Sequence, residues 1–138
     1  MLGGIEIESD VGCVAHSDGD VLLHALTDAL LGAAGMGDIG DHFPPSDDQL
    51  KDAASDQFVE HALRQIRPRW KVTNIDATIF LESPKLGPHK EAIAESVARI
   101  CGLNSGLVNV KAKTGEGVGA VGRGEAVDAH VSVLLEIV

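Results

Sequence analysis

Residues 126–138, AVDAHVSVLLEIV, place Val127, Ala129, Val131, Val133, Leu135 and Ile137 at every second position. Strict period-two alternation marks a strand with one buried face. Two further stretches behave alike: VTNIDATIFLE puts Ile75, Ala77, Ile79 and Leu81 on one side, and LVNVKAK alternates from Leu107. Helix-period segments separate them. Ser55, with SDQFVEHALRQI, opens an amphipathic helix that Pro68 stops, and Pro88 begins another, HKEAIAESVARICGL, with Gly102 near its end. Upstream, Ser17 or Asp18 caps a leucine-rich helix running to about Ala34, and IEIES is a candidate edge strand. The order β-α-α-β-α-β-β suggests one domain over residues 1–138, a sheet covered by helices in which the last two strands could be antiparallel neighbours.

The interior of such a domain has to come from Ala, Val, Leu and Ile, because aromatics make up only 3% of the 138 residues, with Trp70 the sole tryptophan and no tyrosine. That argues against a base-stacking platform for single-stranded nucleic acid. Eleven Lys and Arg against 21 Asp and Glu give a formal charge of -10, which repels nucleic-acid backbones and anionic membranes. Neither is expected as a partner. An anionic ligand would have to be met by locally concentrated positive charge or by a metal. Cys13 and Cys101 show no C-x-x-C spacing, and no signal peptide or long apolar run is evident, so a reducing cytoplasm is the expected compartment.

Four constellations could carry chemistry. Within HSDGDVLLHALTDALL, Asp20, His24 and Asp28 recur at steps of four and form a polar stripe on a leucine-rich helix. Either acid could orient His24 for a metal, or the acids could simply favour the helix N-terminus. His16 and Ser17 sit just ahead of that helix, where an anion would be welcome and where Ser17 could equally be a plain cap. GDIGDHFPPSDD brings Asp38, Asp41, His42, Asp47 and Asp48 into one loop, suited to sugar hydroxyls or Mg2+, or to a solvated turn. KAKTGEGVGAVGRGE combines Lys111, Lys113, Thr114 and Arg123 with a glycine-freed backbone able to wrap phosphate, although it is no Walker A loop and a tight inter-strand turn would use the same residues.

HSDGDVLLHALTDALLGAAGMGDIGDHFP, SPK at 83–85 and KAKTGEGVGAVGRGE, in this order over nearly the whole chain, closely resemble the 2-C-methyl-D-erythritol 2,4-cyclodiphosphate synthase family. The resemblance implies an α+β subunit with a mixed sheet covered on one face by helices, assembled as a homotrimer with sheets around a central channel and active sites between subunits. It also implies a lyase reaction of non-mevalonate isoprenoid biosynthesis: the 2-phosphate of 4-diphosphocytidyl-2-C-methyl-D-erythritol 2-phosphate attacks the β-phosphorus, releasing CMP and the cyclic diphosphate. Zn2+, with Mg2+ or Mn2+ on the substrate, is the implied metal complement.

Carried over by motif, His24 is a metal ligand, and His16 and Ser17 contact phosphate. Asp38, Ile39 and Gly40 bind ribose, while Phe43, Pro44, Pro45, Ser46 and Asp47 contact the methylerythritol. Leu81, Glu82, Ser83, Pro84, Lys85, Leu86 and Gly87 form the cytidine pocket. Lys113, Thr114, Gly115 and Glu116 hold nucleotide phosphates and cytosine, with His16 and Thr114 as the catalytic pair. Arg123 and Glu125 belong to the GRGE motif near the threefold axis.

Departures from the pattern are Pro45 in place of Asp, Lys113 in place of Thr and Ala120 in place of an aromatic. The chain is also expected to lack the family's opening strand, whose D-x-H supplies two zinc ligands; Asp10 aligns with a later turn and is no substitute. The rival reading is therefore a non-catalytic trimer that binds nucleotides or isoprenoid diphosphates.

Overall fold

The computed structural model describes residues 1–9, 19–44 and 53–138. In chain order its elements are α1 (Val21–Ala33), α2 (Ile39–His42), α3 (Asp56–Ile66), β1 (Trp70–Phe80), α4 (Lys90–Cys101), β2 (Val108–Lys113), α5 (Gly119–Gly122) and β3 (Asp128–Ile137). Single 3-10 turns lie at Gly87–His89 and Ser105–Leu107.

The strands form one mixed sheet in the order β2-β1-β3. A crossover through α4 makes β1 and β2 parallel, as a helical return to the same sheet edge requires. β3 is antiparallel to β1, not to β2. The expected pairing of the last two strands is thus wrong, and the register shows why the other edge is preferred. Val108, Ile75 and Val133 align across the sheet, as do Val110, Ala77 and Val131, then Ala112, Ile79 and Ala129. Placing β1 in the middle joins three apolar rows into one continuous face.

Helices cover that face: α1 packs on β3, α4 on β2, and α3 on α1. Leu22, Leu23, Leu26, Leu30 and Leu31 of α1, Ile93 and Val97 of α4, and Val59, Leu63 and Ile66 of α3 are buried with Ile75, Ala77 and Ile79. Each buried Leu, Ile or Val contributes about 1.5–3 kcal/mol on leaving water, so aliphatic burial suffices without aromatics. On the opposite face β3 exposes Asp128, His130, Ser132, Leu134 and Glu136. Among the described residues no helix is long and apolar enough to cross a membrane.

Two further expectations change at the N-terminal end. Helix α1 is capped by Asp20, whose Oδ1 accepts from the Leu23 N–H at 3.0 Å; Ser17 and Asp18 lie outside the described residues. IEIES is not a strand. Instead Leu2 and Ile5 exchange backbone hydrogen bonds of 2.8 and 3.1 Å around Gly3 and Gly4, whose φ values of 60° and 84° make a tight reverse turn that non-glycine residues resist. The Asp20 carboxylate dictates this, accepting from Gly3 N–H at 2.9 Å and Gly4 N–H at 2.8 Å, while Ser96 Oγ donates to the Gly3 carbonyl at 2.6 Å.

Candidate active site

The candidate residues gather in two clusters on different elements. His24, half-buried on α1, has Nε2 3.0 Å from Ser55 Oγ at the head of α3, and its ring meets Phe58 edge-on at 5.4 Å. One turn along α1, Asp28 Oδ1 accepts from the Ile39 N–H at 2.9 Å. That carboxylate therefore positions α2 rather than His24. Asp20 accepts from the backbone amides named above. The polar stripe at steps of four serves three different neighbours, which helical periodicity cannot distinguish.

Asp38 and Asp41 bracket α2 in a reciprocal capping box, with Asp41 N–H to Asp38 Oδ1 at 3.1 Å and Asp38 N–H to Asp41 Oδ2 at 3.2 Å. The GDIG motif is thus the N-terminal turn of a short helix, presented at the surface, and Phe43 closes its far end against Phe58 at 4.9 Å. Gly37 has φ 83°, and a Cβ there would collide with the Asp41 carboxylate. Pro44 is exposed beyond it.

The second cluster follows from the parallel register. Phe80 of β1 stands opposite Lys113 of β2, so the segments after both strands leave the same edge of the sheet, at the carboxyl ends where open α/β sheets bind ligands. Leu81 N–H donates to the Lys113 carbonyl at 2.9 Å. Between the two segments lies a cavity of about 230 Å³ lined by Leu81, Lys85, Leu86, Gly87, Pro88, Lys90, Ala112, Lys113 and Thr114. Pro88, Lys90 and Ala112 belong to this lining without having been expected; the register brings Ala112 there.

The glycine-rich connection is both a compact turn and a backbone cradle. Gly115 packs on Gly122 so closely that a Cβ on Gly115 would come within 2.8 Å of Gly122 Cα. Thr114 Oγ1 accepts from the Glu116 N–H at 3.2 Å, and Glu82 Oε1 accepts from the Gly117 N–H at 3.3 Å, tying the segment after β1 to that after β2. Arg123 Nε pairs with Glu125 Oε1 at 3.2 Å on the exposed surface. Lys111 is drawn away from the cavity into an ion pair with Asp76 at 2.9 Å. That lysine and the Asn109 amide hold the Asp76 carboxyl below its ordinary value of 3.8. His16, Ser17, Pro45, Ser46, Asp47 and Asp48 lie outside the described residues.

A profile of the YgbB family matches residues 1–136. The chain belongs to the YgbB family. Among relatives, the 2-C-methyl-D-erythritol 2,4-cyclodiphosphate synthase of Xylella fastidiosa is 53% identical over 136 residues, covering 98% of this chain and 77% of the relative. The bifunctional IspDF of Campylobacter jejuni superposes with a TM-score of 0.95 at 41% identity over 100% of this chain and 38% of its own. A 2C-methyl-D-erythritol-2,4-cyclodiphosphate synthase structure described as the CDP-bound form matches with a TM-score of 0.89 at 40% identity over 99% of this chain and 89% of its own. These likenesses favour the enzyme over the non-catalytic rival.

The resemblance implies a divalent ion. Among the described residues no three His, Cys, Asp or Glu side chains converge on a metal position. A tetrahedral zinc site needs three protein donors, and His24 is the one expected metal ligand among the described residues. The described residues do not make that site by themselves.

Proposed function

We propose that the chain closes the cyclic diphosphate of 4-diphosphocytidyl-2-C-methyl-D-erythritol 2-phosphate. An oxygen of the 2-phosphate bonds to the β-phosphorus, the bridge from that phosphorus to the α-phosphate oxygen breaks, and CMP departs with the oxygen. The observation that carries this reading is the cavity at the ends of β1 and β2. Three lysines, Lys85, Lys90 and Lys113, line it in a chain whose formal charge is -10. Positive charge gathered against the overall field is what an anionic nucleotide requires.

The protein's part is placement and charge stabilisation, which phosphoryl transfer chiefly demands. Lys113 and Lys85 attract the nucleotide phosphates. The Thr114 hydroxyl, fixed by accepting from Glu116 N–H, keeps its own proton to donate to a phosphoryl oxygen. The apolar walls of Leu81, Leu86 and Ala112 enclose the base, and the α2 turn bearing Asp38, Ile39 and Gly40 takes the ribose. His16, Ser17, Phe43, Pro44, Pro45, Ser46 and Asp47 are assigned to the phosphate and methylerythritol ends, and Arg123 to the subunit axis. His24 is assigned as the chain's contribution to a divalent ion, Zn2+ in the first instance, with Mg2+ or Mn2+ arriving on the substrate.

Because the two clusters are built on separate elements, we assign a complete site to adjacent protomers of a homotrimer whose sheets face a central channel. The buried free thiol of Cys101 suits a reducing cytoplasm. The test is incubation with the cytidine substrate and Mg2+, followed by phosphorus NMR and nucleotide chromatography. Equimolar CMP and cyclic diphosphate are expected. Saturable CDP binding with no CMP release would overturn the catalytic reading in favour of a binding protein.

A further inference from the structure

We propose that His61 is a positioning residue for the nucleotide-binding turn at 38–40, acting through a ring-to-ring hydrogen bond to His42 that survives one proton on the pair and fails with two. The inference rests on the ribose role assigned to that turn. Helix α2 has four residues, too few to hold itself together. Its geometry is imposed from outside. At its start, Asp28 of α1 holds the Ile39 N–H. At its end, His42 Nε2 lies 2.8 Å from the Met36 carbonyl and His42 Nδ1 lies 3.0 Å from His61 Nε2 of α3. Phe43 packs edge-on against the His61 ring at 4.7 Å, so α3 grips α2 both by a polar bond and by an aromatic contact.

Proton placement follows from the partners. A carbonyl only accepts, so His42 carries its proton on Nε2, and Nδ1 of the neutral ring is a lone pair. The bond to His61 must therefore be donated by His61 Nε2–H. One added proton, on either ring, leaves an N–H facing a lone pair and strengthens the bond by charge. A second puts N–H against N–H between two cations. The clamp opens at that step. Charged groups on the surrounding elements are Arg64 of α3, ion-paired with Glu60 at 3.2 Å, Asp28 of α1, and Asp38 and Asp41 of the α2 turn, all three acids bound to backbone amides. Burial first, then the His42 charge and the Arg64 guanidinium, hold His61 below its ordinary 6.5, so the clamp is closed at neutral pH.

The test compares wild type with His61→Gln and His61→Phe. The glutamine amide can donate to His42 Nδ1 without titrating, whereas phenylalanine keeps the ring contact and removes the donor. At pH 7.5 the cytidine substrate's KM and the calorimetric Kd for CDP are expected to rise about three- to tenfold in His61→Phe, the weight of one hydrogen bond, and to stay near wild type in His61→Gln, with kcat within about twofold throughout. On acidification to pH 5, wild type should weaken more steeply than His61→Gln. Nitrogen NMR of the rings gives a readout free of turnover: a coupling across the His42–His61 bond at pH 7.5, lost in acid together with shifts of the amides at 38–40. Equal KM and Kd in all three proteins, or amides at 38–40 that ignore the loss of the coupling, would overturn the proposal. Absence of CMP release by wild type would instead sink the cyclisation reading, with the CDP and NMR arms still deciding this one.

Discussion

Asp20→Ala removes a carboxylate that is fully buried and that accepts from Gly3, Gly4 and Leu23 N–H at 2.9, 2.8 and 3.0 Å. Losing the cap of α1 costs about 1 kcal/mol. Leaving the Gly3 amide orphaned in the interior costs about 1–3 kcal/mol, and the half-buried Gly4 amide falls at the lower end of that range because water can reach it. The total is roughly 3–5 kcal/mol, against about 5–15 kcal/mol for a whole domain. For 138 residues this corresponds to a fall of about 10–17 °C in Tm. Urea unfolding followed by Trp70 fluorescence and far-ultraviolet dichroism measures it, with the slope checked for constancy. Asp20→Asn should cost less, roughly 1–3 kcal/mol, since one oxygen still accepts while the amide nitrogen faces a second donor at Gly4. A shift below about 1 kcal/mol for the alanine variant would refute the reasoning. A normal midpoint coupled to weakened divalent-ion binding would show that Asp20 serves His24 after all.

Three other outcomes are expected. Gly122→Ala forces a methyl onto the Gly117 backbone, 2.9 Å from its Cα, so calorimetric CDP affinity should drop at least about tenfold as the cradle shifts, while the urea midpoint changes little; unchanged affinity would count against the cradle. The Cys101 thiol is pushed up to about 12 by burial, with Arg67 acting weakly in the other direction; at pH 8 iodoacetamide should label it only in proportion to the unfolded fraction, read by peptide mass spectrometry, and rapid native labelling would contradict that burial. Because folding lowers the His61 value below 6.5, the unfolded chain takes the proton first. Its contribution to stability is complete above about 6.5 and is lost as pH falls through the folded value. His61→Gln should flatten the slope of the urea midpoint against pH in that window, and an unaltered slope would exclude His61 as its source.

Much of the fold is legible in periodicity. The segments that became α3, β1, α4, β2 and β3 each show their own repeat, with Pro68 and Gly102 at helix ends; Gly102 ends α4 with φ 68°. The site is legible only in part. Motif order points to residues 38–40, 81–87 and 113–116, but nothing local announces that Lys90 and Ala112 share the cavity with Lys113. Ser55 beside His24 and His42 against His61 bridge 31 and 19 positions. A pattern read along one chain has no access to such pairs.

What the sequence determines by itself is which stretches are strands and helices, which of their faces are apolar, and which family's motifs they carry, because these depend on neighbours a few residues away. Tertiary structure decided that β3 lies beside β1, that Asp20 and not an earlier residue caps α1, and that an alternating IEIES does not become a strand. In each case the outcome turned on which buried rows align or which backbone amides a carboxylate meets. Those are contacts between segments far apart in the chain, and their free energy exists only once the segments are brought together.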